Sequence, residues 1–86
     1  MSTKAYVLIE TVVGKSREVM ASLQGLPELE SLDAVTGPYD IIAVVTAADL
    51  NTVGKLVTGN IHNIGGILRT VTCLTITGPK RPSPQR

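Results

Sequence analysis

Few residues in this chain are equipped for chemistry, and one of them is oddly placed. The stretch TGPYDIIAVVT, residues 36–46, sets a single carboxylate, Asp40, between a Gly-Pro turn and a strand that stays apolar through Val45. An unpaired carboxylate is expensive to bury, so Asp40 must be partnered or face solvent. Two readings satisfy that. In the first, Asp40 closes the turn by accepting nearby backbone N–H groups. In the second it anchors a ligand. Gly37 lets backbone donors approach a small anion closely, and Asp40 takes the cation. Such a pair suits a zwitterion, that is, a free amino acid. Pro38 has no N–H and removes one donor from the anion half.

The other reactive side chains suggest folding roles. The chain has one His and one Cys, whereas a metal site takes three or four ligands at workable spacing, so no metal and no cofactor are expected. No phosphate-binding glycine loop is present, and Gly65-Gly66 follows a helix instead of opening one. Nothing resembles a Ser-His-Asp set or a nucleophile elbow, so catalysis is not expected. His62 falls near a helix end, where an imidazole favours the dipole. Cys73 reads as a small buried apolar residue within a strand. Glu28, Glu30 and Asp33 read as a solvated strand edge, and Lys80-Arg81 as solvated tail. Thr70, Thr72 and Leu74 share one face of the last strand; Arg69, Val71 and Cys73 share the other.

The elements that position these residues are constrained by composition. A chain of 86 residues makes one small domain, and one this small is marginal without a partner subunit. It is 43% hydrophobic yet has no Trp, no Phe and two Tyr, so its core must be Val, Ile, Leu and Ala. That palette suits strands packed on small helices. A lone Cys permits no internal disulfide and fits a reduced, cytoplasmic setting. No signal peptide and no membrane span are expected. Net charge is +1, but Lys80, Arg81 and Arg86 lie in the tail; eight basic residues less those three leave five against seven acids, a body of −2. A body of that sign offers no basic stripe for phosphates, so direct nucleic-acid binding is not expected.

Along the chain, residues 4–13 form an apolar first strand. Residues 15–24 form a helix with Val19, Met20 and Leu23 on one face, capped by Gly14 or Ser16 and stopped at Gly25. Residues 28–37 and 39–47 form a hairpin about Gly37-Pro38. Asp49 caps a second helix, striped by Leu50, Val53, Val57, Ile61 and Ile64. Gly54 and Gly59 weaken that helix by about 1 kcal/mol each, or else something packs closely against Gly54. Residues 67–76 form the last strand, closing a folded domain over 1–76. The stretch 77–86 is expected to be a disordered basic tail. The fold class is α+β, a ferredoxin-like βαββαβ unit with an antiparallel four-stranded sheet. Two helices cover one sheet face, yet Ile41–Val45 and Tyr6–Ile9 leave neither face polar. A second subunit's sheet is therefore expected on the open face, giving a dimeric α/β barrel.

These residues also carry a family likeness. VTGPYDII resembles the turn of the Lrp/AsnC regulators' effector-binding (RAM) domain. HNIGGILRTVTCLTI resembles that domain's ending, and GKSREVMASLQGLPELESLDAVTG its first helix and second strand. The likeness spans residues 4–76. It implies a ferredoxin-like domain that dimerises through its sheets and assembles into rings, often octamers. It further implies that an amino acid binds between dimers. The effector contacts map onto Thr36, Gly37, Tyr39 and Asp40, with Thr72 a weaker counterpart. The family's regulators carry a DNA-binding helix-turn-helix before this domain, and none is visible ahead of Lys4. The resemblance therefore implies a stand-alone, non-enzymatic sensing module that acts through a full-length regulator. The rival expectations are an enzyme on the same barrel, an ACT-like module joined sheet edge to edge, and a structural oligomer without ligand. The first of these generally needs His, Trp, Asn or Tyr inside the barrel.

Overall fold

In the computed structural model, which describes residues 2–76, strands β1 (Thr3–Thr11) and β3 (Ile41–Ala47) form the centre of a sheet. β2 (Leu29–Ala34) flanks β3, and β4 (Ile67–Leu74) flanks β1, so the order is β2-β3-β1-β4 with every pair antiparallel. Helices α1 (Ser16–Leu23) and α2 (Leu50–Lys55) supply the crossovers. This is the ferredoxin-like βαββαβ arrangement that the order of elements predicts. The expected basic tail lies outside the described residues.

The side-chain period of two sorts β1 and β3 into two faces. Ala5, Val7 and Ile9 stand opposite Val45, Ala43 and Ile41. All six are fully buried, beneath Val19 and Leu23 of α1 and Val53, Leu56, Val57 and Ile61 of the second helical stretch. The alternate positions look the other way. Tyr6 and Val71 are exposed there, Leu8 and Ile42 half-buried, and Val44 is shielded within the sheet. No described helix covers that face. Cys73 was expected in the core but is exposed. It sits opposite Tyr6 on the open face, where burial would need cover that the described residues do not supply.

Two helix starts behave differently. At α1 neither expected cap operates. Lys15 holds the N-cap position without a side-chain bond, and the Ser16 hydroxyl pairs with Thr11 Oγ1 at 2.8 Å. α1 is instead clamped by packing. Gly66, with φ +100°, lies so close that an added Cβ would stand 3.0 Å from Val19 Cγ2 and 3.1 Å from Lys15 Cβ. The turn into β4 therefore demands glycine for both conformation and space. At α2 the cap is as expected: Asp49 Oδ1 accepts the Thr52 N–H and hydroxyl, both at 2.8 Å. Those bonds, the backbone one foremost, hold the Asp49 carboxyl below the ordinary aspartate value. A carboxyl lowered on folding contributes stability above its unfolded value and loses it as pH falls through the folded one.

The second helix does not run on as one α-helix. After Lys55 it widens into a π-helical segment, Leu56–Ile61, and the His62 N–H reaches back five residues to the Val57 carbonyl at 2.9 Å. The wider turn lets Leu56, Val57 and Ile61 all reach the core, while Leu50 is left 57% exposed. Gly54 and Gly59 face open space, and a Cβ on either would meet nothing within 4 Å. Among the described residues, nothing packs against them to compensate their helix penalty. Two outcomes follow. Asp49→Ala flattens the acid limb of the stability profile below about pH 4, measured by urea unfolding across pH. Gly54→Ala raises unfolding free energy by about 1 kcal/mol; a loss instead would mean another molecule packs against that surface.

Candidate functional site

Asp40 lies immediately before β3 and is bound into the fold on three sides. Its N–H donates to the Ile9 carbonyl and its carbonyl accepts the Val35 N–H, each at 2.9 Å. Its Oδ2 accepts the Thr11 N–H at 2.8 Å and the Thr11 hydroxyl at 3.2 Å. The carboxylate is therefore partnered, as its position requires, but not by its own turn. It reaches across 29 residues of sequence to the end of β1. Thr11 is 6% exposed, so this N–H has little access to water. The Thr11 hydroxyl passes the tie on to Ser16 at the start of α1. Asp40 Oδ1 has no hydrogen-bond partner among the described residues.

The turn before it is open. Thr36 and Gly37 are exposed, and Gly37 adopts φ +140°, a conformation that favours glycine. Tyr39 is half-buried, with the Arg69 guanidinium 5.4 Å from its ring centroid. Arg69 Nε donates to Glu10 Oε1 at 3.2 Å, and the two residues are direct cross-strand partners. Three strand ends thus meet: Tyr39 and Asp40 entering β3, Glu10 and Thr11 leaving β1, and Arg69 entering β4.

Glu10 and Arg69 are the residues that sequence reasoning missed. Alternation alone put Arg69 on a face with Val71 and Cys73. Only the placement of β4 beside β1 brings it to the Asp40 turn. Thr72 does not join this group. It pairs with Val7 on the helix-covered side, three residues and about 10 Å along β4 from Arg69. Nearby, Thr70 Oγ1 and His62 Nε2 lie 2.9 Å apart, so His62 braces β4 as well as ending the helical segment. Of the acidic residues read as a solvated edge, Glu30 accepts from the Thr46 hydroxyl at 2.9 Å and lies 3.8 Å from Lys4 Nζ. Glu28 is half-buried, its Oε1 shielded and without a partner among the described residues. An open depression lined by Gly14, Ser16, Arg17 and Glu18 lies at the start of α1 and includes none of the expected site residues. Among the described residues no group of three or more His, Cys, Asp or Glu could hold a metal ion. No described helix is long and apolar enough to cross a membrane.

A four-stranded antiparallel sheet with both helical stretches on one face defines a small ferredoxin-like α+β domain. More specifically, the chain belongs to the Lrp/AsnC ligand binding domain family, whose model matches residues 4–84. It is 34% identical over 70 residues to an uncharacterised HTH-type transcriptional regulator of Pyrococcus abyssi, covering 81% of this chain and 44% of that protein. The chain thus spans less than half the length of that curated relative. A crystal structure from Thermus thermophilus is similar at 30% identity and TM-score 0.87, covering 92% of this chain and 99% of that one. A transcriptional regulator of Neisseria meningitidis, solved as a complex with L-Met, shares the fold at 22% identity and TM-score 0.80, covering 92% of this chain and 53% of that one.

The tie at Asp40 has a measurable consequence. Asp40→Ala strands the Thr11 N–H and should cost about 1.5–3 kcal/mol of unfolding free energy, the range for hydrogen bonds to a charged group. Chemical denaturation reads this directly. A loss below 0.5 kcal/mol, roughly the floor for any net hydrogen bond, would mean the bond is not part of the fold.

Proposed function

We propose that this chain is a non-enzymatic amino-acid-sensing module. It works as a homodimer built sheet to sheet, assembled further into a ring such as an octamer. It modulates transcription through a full-length regulator of its own family, in the cytoplasm. The observation that carries this reading is the Gly37–Asp40 turn within a ligand-binding domain of this family. The turn is open, its glycine holds a conformation that lets a ligand approach the backbone, and one Asp40 oxygen is unengaged. The oligomer is supported by the open face, where Tyr6, Leu8, Ile42 and Val71 present apolar surface that the chain's own helices leave uncovered.

In this reading Thr36, Gly37, Tyr39 and Asp40 come from one copy and Thr72 from another. Within a single chain Thr72 stands opposite Val7, about 10 Å along β4 from Arg69 and the strand ends at the Asp40 turn, so the two sets serve one ligand only across a subunit boundary. A ligand held between copies acts by linkage. It stabilises the assembly in which the cleft is complete, to the extent that it binds that state more tightly. The L-Met complex of the Neisseria regulator is the precedent for the ligand class.

Native mass spectrometry with and without the twenty free amino acids tests both halves. The expected spectrum shows even-numbered oligomers, one amino acid raising the largest species, and a shift to monomer in Ile42→Glu. A wild-type monomer at micromolar concentration would refute the assembly. No amino acid changing either the mass spectrum or the melting temperature would refute the sensing role.

A further inference from the structure

We propose that Arg69 is the anchor for the ligand's carboxylate, with Tyr39 and Glu10 holding its guanidinium ready. The inference rests on the amino-acid reading of the same site and assigns its anion half to a side chain. A Gly-Pro turn is short of donors, because Pro38 carries no N–H. Arg69 supplies them. Only its Nε is engaged, at 3.2 Å from Glu10, so the terminal nitrogens have no partner among the described residues. Those nitrogens form the planar fork that matches a carboxylate with two parallel hydrogen bonds.

The setting also favours binding over mere surface pairing. An exposed arginine is normally among the most mobile side chains, but this one is fixed by the Tyr39 ring at 5.4 Å and by Glu10. Capturing a carboxylate there costs less ordering than at a free arginine. The charges select the ligand class. Two carboxylates, Glu10 and Asp40, and one cation, Arg69, gather at this end of the sheet. A plain anion would meet a net negative site, whereas a zwitterion satisfies both signs. The opposite end of the sheet is a natural control. There Lys4 lies 5.8 Å over the Tyr6 ring and 3.8 Å from Glu30, with a single-point ammonium in place of a fork.

The test is calorimetry on the full chain. The probes are the twenty free amino acids and, for the tightest binder, its decarboxylated amine and its α-amide. Exposed ion pairs contribute little to stability, so Arg69→Gln is expected to keep the wild-type circular dichroism and oligomer size. Wild type should lose about tenfold or more in affinity when the ligand's carboxylate is removed or amidated. Arg69→Gln should bind the amino acid about tenfold more weakly and no longer distinguish it from its amide. Lys4→Gln should match wild type. If Arg69→Gln distinguishes acid from amide as strongly as wild type does, Arg69 is not the anchor, although the sensing function stands. If no amino acid binds wild type, the sensing reading fails and this inference fails with it.

Discussion

The antiparallel register of β1 against β3 sets Ala5, Val7 and Ile9 opposite Val45, Ala43 and Ile41, all beneath the helices. Because side chains alternate at every residue, a slip of one position would turn this row to the open face and bring Tyr6, Leu8, Ile42 and Val44 under α1 and α2. The rest of the molecule follows from that register. It fixes where β3 can begin and so where Asp40 stands relative to Thr11. It also puts Arg69 across from Glu10, because β4 pairs with the other side of β1. Two short helices can cover one face of such a sheet and no more. The second apolar face is the cost of central strands built from Val, Ile, Leu and Ala at nearly every position.

Asp40 links folding to the proposed function through a single carboxylate. One oxygen ties the entry of β3 to the end of β1 and, through Thr11 and Ser16, to the start of α1. The other has no partner among the described residues. This division explains how a charged group can sit at the mouth of a buried strand without a large penalty. It is solvated by a backbone N–H, a hydroxyl and the opening beside it. A ligand drawing on Oδ1 would therefore pull on a group already wired to two strands and a helix. Such a contact is a physical route by which occupancy can reach the rest of the domain.

The elements were legible because their signals are local. Apolar runs, the Gly-Pro turn, the Asp49 cap and the striped second helix placed four strands and two helical stretches in the right order. Their ends were less legible. β1 stops at Thr11 instead of Val13, because Val12 turns its N–H to the Gly66 carbonyl at 2.8 Å in the loop to α1. The stripe of the second helix hid the change from α to π, since both forms bury Val53, Val57 and Ile61. Cys73 was misplaced because its burial depends on what lies across the open face, and a strand's own sequence is silent on that.

The chain's sequence by itself determined the βαββαβ order, the two-sided apolar centre of the sheet and a carboxylate at the glycine turn, since each is written in neighbouring residues. Tertiary structure decided what that carboxylate touches. Thr11 is 29 positions from Asp40, and Arg69 is 59 positions from Glu10. No local propensity carries such pairings. They exist because backbone hydrogen bonding threads β1 between β3 and β4, and strand order turns distant residues into neighbours.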